Sequence, residues 1–538
     1  MTDPSHSPDR DAAQSRFAPP GERPVPAPGP AHTTGSTYST GPAEAPPPPS
    51  APPTTPGTVP EGYVAVPVDA AGQYAAAPQH PAAPQYPTTQ PYPAGASAAV
   101  VPRDPTVRRG PVTVRERAVA PDLARGFALL FIALANTPFW FFGDAAPDPL
   151  SGSLHPAGSG LWDQVVNAFV MIAIDQRTYP LFALLFGYGM MLAHRRQVEA
   201  GTHPDTARNL LIRRNLWLLA FGGVHALLLF SGDILGAYGL TGIIVAAAFL
   251  KVRDRTLGIW FWSLLGLQVV FGGLMVGLVF LMGSFVSDQD LAAQTGDPTA
   301  GMIDPTLLDE AAQSNYFLAM LLRLGNWVLA TPMTVLMLTV PTMFLAGIWA
   351  ARKHLLEQPF TRTRLLVWTA VLGLLVGWGS AVPGALVHLG VLDMPLLSQS
   401  GLLTVSTVTG MAAGLGYAAL FGLLGGAVQA SRARRAVRRA ERGAPVPDHE
   451  PWGLPRVLGA VGSRSLTCYL LQSVVFAPAL AAWGFGLGDD LGPATMAAFA
   501  LSVWAFTVLV ACVLEACGVR GPAESLLRRL TYRRAARA

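Results

Sequence analysis

A histidine and an aspartate, His225 and Asp233, lie close together in a segment that is otherwise apolar. The segment runs from Gly222 to Tyr238 and reads GGVHALLLFSGDILGAY, and its Ser-Gly pair predicts a tight turn between two helices. Ionisable side chains are costly at membrane depth, so they are functional candidates. A histidine oriented by a carboxylate is a usable general base. We therefore predict that His225 and Asp233 form a catalytic pair.

Both residues also have structural interpretations. His225 could hydrogen-bond a carbonyl group where two helices pack. Asp233 could cap the helix that follows it, because a carboxylate is favourable at a helix N-terminus. These alternatives stay open on the sequence alone.

The composition indicates an all-α fold, a polytopic transmembrane helical bundle. The chain of 538 residues is 51% hydrophobic and 13% charged, whereas soluble domains carry about 25% charged residues. A helix needs about 20 apolar residues to cross the hydrocarbon core, and about ten segments qualify. They are 123–143, 178–194, 215–231, 234–250, 257–282, 326–351, 365–390, 401–429, 457–483 and 493–517. A further apolar stretch, 161–175, is predicted to lie at the membrane interface.

Lysine and arginine residues alternate along the loops in a way that predicts orientation. The loops 144–160, 283–315, 391–400 and 484–492 contain neither residue, whereas the intervening loops are basic. Basic loops stay in the cytoplasm. The sequence therefore predicts a protein of the plasma membrane whose lipid partner is the bilayer and whose two termini are cytoplasmic. The run from Arg432 to Arg442 is interpreted as a topology anchor, and no nucleic-acid partner is predicted.

Three regions follow from this pattern. Residues 1–114 are rich in proline and alanine and predict a disordered cytoplasmic tail, since such a segment cannot bury enough apolar area to fold. Residues 115–360 are predicted to form an N-terminal transmembrane domain, and residues 361–538 a C-terminal one.

The predicted orientation sorts the polar residues into two levels. An outer level contains His225, Asp233 and the candidate substrate-binding residues Asn136, Arg177 and Tyr238. An inner, cytoplasmic level contains Arg125, Arg213 and Arg214. The three cysteines, Cys468, Cys512 and Cys517, match no zinc or redox motif, so neither a metal nor a bound cofactor is predicted.

Several separated motifs resemble one family of bacterial membrane proteins. They are DLARGFALL from Asp122, YPLFALLFGYG from Tyr179, GDILGAY from Gly232, GSRSLTCYLLQS from Gly462 and GPAESLLRRLTY from Gly521. Together they resemble the YeiB-like family, including its C-terminal domain of unknown function. The resemblance extends over nearly all of the chain after about residue 115.

The Asp-Leu-Ala-Arg-Gly pattern of the first helix is also similar to that of the transmembrane acyltransferase superfamily. That similarity implies transfer of an acyl group from cytoplasmic acyl-CoA to an acceptor at the outer face. It also implies a donor entrance at Arg125, where Arg213 or Arg214 would help to hold the phosphates. Many such enzymes carry a histidine near the outer end of the first helix, whereas this chain has Asn136 there. Either His225 or His155, the next histidine along the chain, would have to act as the base.

Two other functions fit the same residues. In a transporter, Asp233 or His225 would relay protons along a polar path. In a structural membrane protein, the polar residues would only hold the helices together.

Overall fold

Helices form almost all of the regular structure in the part of the chain that the computed structural model describes, and no strand occurs there. The described residues are 119–147, 153–285, 309–443 and 453–532, and they belong to one compact unit. The predicted tail, 1–114, lies outside them.

The first six helices are α1 (Val119–Ala135), α2 (Leu161–Ala173), α3 (Thr178–Glu199), α4 (Pro204–Leu228), α5 (Ile234–Ala248) and α6 (Asp254–Gly283). The next five are α7 (Tyr316–Leu336), α8 (Thr339–Arg352), α9 (Thr363–Gly379), α10 (Val382–His388) and α11 (Leu396–Glu441). The last four longer helices are α12 (Leu454–Ser463), α13 (Ser465–Leu480), α14 (Pro493–Ala516) and α15 (Pro522–Tyr532).

Six helical stretches of the described chain are long and apolar enough to cross a membrane. They are Leu161–Glu199, Asp254–Gly283, Tyr316–Leu336, Pro359–His388, Ser398–Glu441 and Pro493–Ala516, and the apolar helices α5 and α13 are shorter. The outward faces agree with a bilayer environment, since Trp262 and Val270 of α6 are 68% and 70% exposed. The number of about ten spans and the cytoplasmic termini stay predictions.

Three segments predicted as single spans are pairs of helices. Segment 326–351 divides into α7 and α8 at Leu338, whose φ of 65° lies in the left-handed region. Pro341 follows in the first turn of α8, and proline lacks the N–H that would continue a helix. Segment 365–390 divides into α9 and α10, and segment 457–483 into α12 and α13. Hydropathy does not register the first two breaks, because they introduce no charge into the apolar run, whereas the third lies at Arg464.

Glycine contacts bring the central helices together closely. A Cβ on Gly347 of α8 would lie 2.1 Å from the Leu184 carbonyl oxygen of α3, and one on Gly187 would lie 2.3 Å from that of Phe344. Small residues permit such close approach in membrane bundles. Helices from both sides of residue 360 pack together, including α1 with α12 and α3 with α11. The division into two transmembrane domains stays a prediction.

The bundle has two ends that matter for function. Asn136, Gln176, Ile234 and Thr339 meet at one end, which we call the cavity end. The helices α3, α5 and α8 all begin there. The opposite half contains Arg125 and Arg214, and we call it the arginine end.

The contact between α3 and α8 gives a stability test. In Gly347→Ala, the new methyl group would clash with the backbone of α3, and overpacking of this kind costs about 1–3 kcal/mol. We expect a lower midpoint of thermal unfolding in detergent. The matched control is Gly273→Ala in α6, where nothing lies within 4 Å of the added Cβ. Equal midpoints for the two variants would contradict the close packing of α3 on α8.

Candidate functional site

The predicted pair of His225 and Asp233 is formed and buried. The His225 Nδ1 atom lies 2.9 Å from Asp233 Oδ1, at the turn between α4 and α5. A Cβ on Gly222 of α4 would lie 2.3 Å from Asp233 Oδ2, so only glycine leaves room for the carboxylate. The sequence therefore predicted this contact correctly, while the catalytic role of the two residues stays a proposal.

Asp233 is the hydrogen-bonding centre of this region. Its Oδ2 accepts from the Gly236 backbone N–H at 2.7 Å and from Trp327 Nε1 at 3.3 Å. Its Oδ1 accepts from Tyr469 Oη at 3.4 Å and from His225 Nδ1. The bond to Gly236 caps α5, so the capping interpretation of Asp233 is also confirmed. One carboxylate thus joins α4, α5, α7 and α13.

The His225 side chain is buried inside the bundle. A carboxylate only accepts hydrogen bonds, so Nδ1 of His225 carries the proton. The other ring nitrogen, Nε2, is buried and has no hydrogen-bond partner among the described residues. The Tyr469 ring packs beside the imidazole, with 5.2 Å between ring centres.

A cavity of about 400 Å³ lies at the cavity end, next to this pair. Its polar lining consists of Asn136, Asp175, Gln176, Thr178, Tyr179, Tyr238, Thr334, Thr339, Thr407 and Tyr469. No lysine or arginine is among the described residues that line it. Tyr469 and Ile234 form part of the wall, whereas His225 and Asp233 lie behind them.

Two of the three predicted substrate-binding residues line this cavity. Asn136 lies at the end of α1, and Tyr238 donates a hydrogen bond to the Tyr179 carbonyl oxygen at 2.7 Å. Arg177 is different, because its side chain is fully buried and does not line the cavity. It donates to the Gly377 carbonyl oxygen at 2.6 Å, and also to that of Asp175. Arg177 therefore fastens the start of α3 to α9.

A second histidine–carboxylate pair was not among the predicted site residues. His155 Nε2 lies 2.6 Å from Asp175 Oδ2, and both residues line a smaller cavity of about 90 Å³. Asp175 also lines the larger cavity, as do Leu154 and Gln176, so these three residues form a shared wall. His388 lines the smaller cavity on another side. The sequence signal was weak, since His155 lies in a glycine-rich loop and Asp175 beyond the next helix.

The shared wall has an unusual backbone conformation at Gln176. Its φ is 58°, which places a residue with a side chain in the left-handed region, at a cost of about 1–3 kcal/mol. A Cβ on Gly410 of α11 would lie 2.0 Å from the Gln176 carbonyl oxygen. Close packing of α11 thus maintains the strained conformation between the two cavities.

A residue outside the membrane-spanning segments, Glu310, holds the turn before Asp233 in place. Glu310 accepts from the Ser231 backbone N–H at 3.1 Å and from Asn326 Nδ2 at 3.3 Å, and burial raises the pKa of the Glu310 carboxyl group. The Arg323 guanidinium lies nearby, 5.2 Å from the centre of the Tyr316 ring.

The arginine end holds the residues predicted to bind a donor. Arg125 bonds Asp122 at 2.5 Å, and its guanidinium lies 3.4 Å from where a Cβ on Gly189 would be. Arg214 stacks on the Phe186 ring at 5.5 Å, and its charge interacts with that of Arg125. Arg213 is its neighbour on α4. None of the three arginines lines either cavity. No group of three or more potential metal ligands occurs among the described residues.

The fold and its apolar exterior define a multi-pass membrane protein. Residues 350–443 and 446–534 match a family model described as a protein of unknown function, DUF418. The chain is 25% identical over 435 residues to the uncharacterized protein YxaH of Bacillus subtilis (strain 168), covering 78% of this chain and 96% of YxaH. It is 26% identical over 433 residues to the uncharacterized protein YeiB of Escherichia coli (strain K12), covering 78% and 97%.

A third relative, an uncharacterized 39.9 kDa protein of Bacillus acidopullulyticus, is 32% identical over 145 residues, which cover 27% of this chain and 37% of that protein. These findings bear out the resemblance to the YeiB-like family and to its C-terminal domain of unknown function. The similarity to transmembrane acyltransferases stays a prediction.

Removal of the central carboxylate should destabilise the bundle. Asp233→Ala would leave four donors without this acceptor, and a buried donor that loses its acceptor costs about 1–3 kcal/mol. We expect a large drop in the midpoint of thermal unfolding in detergent. Asp393→Ala is the control, because Asp393 is exposed and surface substitutions usually change stability by less than about 0.5 kcal/mol. If both variants unfold like the parent protein, Asp233 does not hold the helices together.

Proposed function

We propose that this membrane protein binds a small acceptor molecule in the larger cavity and transfers an acyl group to it. The observation that carries the proposal is that Asp175, which lines both cavities, pairs with His155, which lines the smaller one. The donor would be acyl-CoA, bound from the arginine end.

His155 is the better candidate for the general base. Asp175 accepts from His155 Nε2, which leaves Nδ1 free to take a proton from a hydroxyl or amine. The Asp175 carboxylate stabilises the imidazolium that would form. His155 also lines a cavity, whereas His225 is separated from the larger one by Tyr469.

The pair of His225 and Asp233 then has a supporting role. Asp233 bonds the Tyr469 hydroxyl, and Tyr469 is part of the cavity wall. The Tyr469 oxygen also accepts from the Ile234 backbone N–H at 3.4 Å. We propose that His225 and Asp233 fix this wall and that Tyr469 is the group that meets the acceptor.

The lining of the larger cavity limits the chemistry of the acceptor. Hydroxyl and amide groups predominate among its polar residues, and its one carboxylate is Asp175. Such a lining fits a neutral polar or cationic molecule better than an anion. Asn136 and Tyr238 would be its hydrogen-bonding partners, as the sequence predicts, whereas Arg177 would act only through the backbone it holds.

The acyl-CoA donor would be bound by Arg125, Arg213 and Arg214. Like charges at Arg125 and Arg214 repel each other, and the phosphates of a CoA donor would relieve that repulsion. Arg125 and Asn136 lie on the same helix, about 16 Å apart along its axis at 1.5 Å per residue. The thioester of the bound acyl-CoA would have to reach across this distance along α1, where the acceptor oxygen or nitrogen replaces the sulfur on the acyl carbon and CoA leaves as its thiol.

Transport of a small molecule is the second candidate, and the interrupted helices favour it. The pairs α7/α8 and α9/α10 are broken near the cavities, and transporters build midplane binding sites from such discontinuous helices. In that case the buried pair of His225 and Asp233 would relay protons.

Acyl transfer can be tested with labelled acyl-CoA and purified protein in lipid vesicles, offered hydroxyl- and amine-bearing acceptors. His155→Ala should lower the transfer rate by about 10²- to 10⁴-fold, the usual contribution of a general base. Asp175→Asn should lower it as well. The control is His203→Ala, since His203 is half-exposed at the start of α4.

Equal rates for His155→Ala and the control would exclude His155 as the base. A parent protein that transfers no label, but carries a solute across the vesicle membrane, would favour transport.

A further inference from the structure

The side chain of Asn167 hydrogen-bonds the loop that contains His155. Asn167 of α2 is 2% exposed, and its Nδ2 donates to the Pro156 carbonyl oxygen at 3.0 Å. The same nitrogen lies 2.9 Å from His388 Nε2, at the end of α10. Asn167 thus joins the backbone next to His155 to a second histidine.

The hydrogen-bonding capacity of these groups fixes the protonation state of His388. The Pro156 carbonyl can only accept, so the amide nitrogen of Asn167 must face it, and the second N–H of that nitrogen faces His388. His388 Nε2 must therefore accept, which requires a neutral ring with its proton on Nδ1. A protonated ring would place a second N–H against the amide N–H, and the bond would be lost.

Turning the Asn167 amide over would not repair the contact. Its oxygen would then face the Pro156 carbonyl oxygen, so the loop would lose its donor. Either response to a protonated His388 therefore loosens the backbone that holds His155.

The surroundings of His388 contain few other charges. The His155 ring lies 6.2 Å away between ring centres, and His155 pairs with Asp175. Beyond α2 and its loops, the neighbouring segments contribute the neutral residues Ser380, Gln399 and Ser406. Among the described residues that line this cavity, a positive charge on His388 would thus meet no carboxylate other than Asp175, which pairs with His155, and it would repel a protonated His155.

We propose that Asn167 and His388 are positioning residues for His155 and that they form a lock, which opens when His388 is protonated. The importance of the lock for catalysis rests on the proposed function. The lock itself concerns the loop around Pro156 and can be measured without any substrate.

The test is amide hydrogen exchange of residues 153–160 in the full chain in lipid nanodiscs, from pH 8 to pH 5. Rates are compared with the intrinsic exchange rate at each pH. In the parent protein, protection should fall by about tenfold as the pH is lowered and His388 is protonated, which corresponds to one lost hydrogen bond.

Three variants distinguish the opening of the lock from a general loss of stability. His388→Gln should keep the loop protected at pH 5, because the Gln oxygen accepts from Asn167 at every pH. His388→Leu should make loop protection independent of pH, because no titratable group then faces the Asn167 amide. His203→Gln, at the start of α4, should behave like the parent protein.

The same pH dependence in the parent protein and in His388→Gln would overturn the proposal. Where transfer activity is measurable, the acid side of the pH–rate profile should have a slope near 2 in the parent and near 1 in His388→Gln. A slope that does not change would exclude a positioning role for His388. An acid-opened loop in a protein that transfers no acyl group would support the lock and contradict the proposed function.

Discussion

The buried carboxylate of Asp233 is the interaction on which the cavity end depends. A charge removed from water is stabilised only when its oxygens are fully hydrogen-bonded. Here the donors come from His225, Gly236, Trp327 and Tyr469. They belong to the consecutive helices α4 and α5 and to α7 and α13, which are distant from them in sequence, so satisfying this one group sets the relative positions of all four. The wall of the larger cavity is a consequence of that arrangement.

Much of this arrangement could be predicted from the sequence. The contact between His225 and Asp233 followed from a short turn between two apolar segments, and the helix boundaries near Thr178 and Ile234 agree closely with the predicted ones. Asn136 and Tyr238 were expected at the level of this pair, and both line the larger cavity beside it.

The rest of the site could not be predicted, because hydrophobic periodicity does not specify the direction in which an individual side chain points. Arg177 was expected to face a substrate, but its guanidinium binds backbone carbonyl groups inside the bundle. The pair of His155 and Asp175 arises because the loop before α2 folds back over the end of that helix. No local sequence pattern predicts that the loop folds back in this way, because its position depends on contacts with α10 and α2. The break at Leu338 was missed for a similar reason, since an apolar run looks alike whether it is one helix or two.

That break has an electrostatic consequence. Because α8 starts anew at Thr339, its N-terminus joins those of α3 and α5 around the larger cavity, where Thr178, Ile234 and Thr339 all form part of the wall. Each helix N-terminus carries the equivalent of about half a positive charge. These three helix ends offset the negative charge of the Asp175 carboxylate in the wall and of the Asp233 carboxylate behind it, although no lysine or arginine lines the cavity among the described residues. A continuous helix through Leu338 would remove one of the three helix ends and leave the oxygen of any reacting carbonyl group with weaker stabilisation as negative charge develops on it.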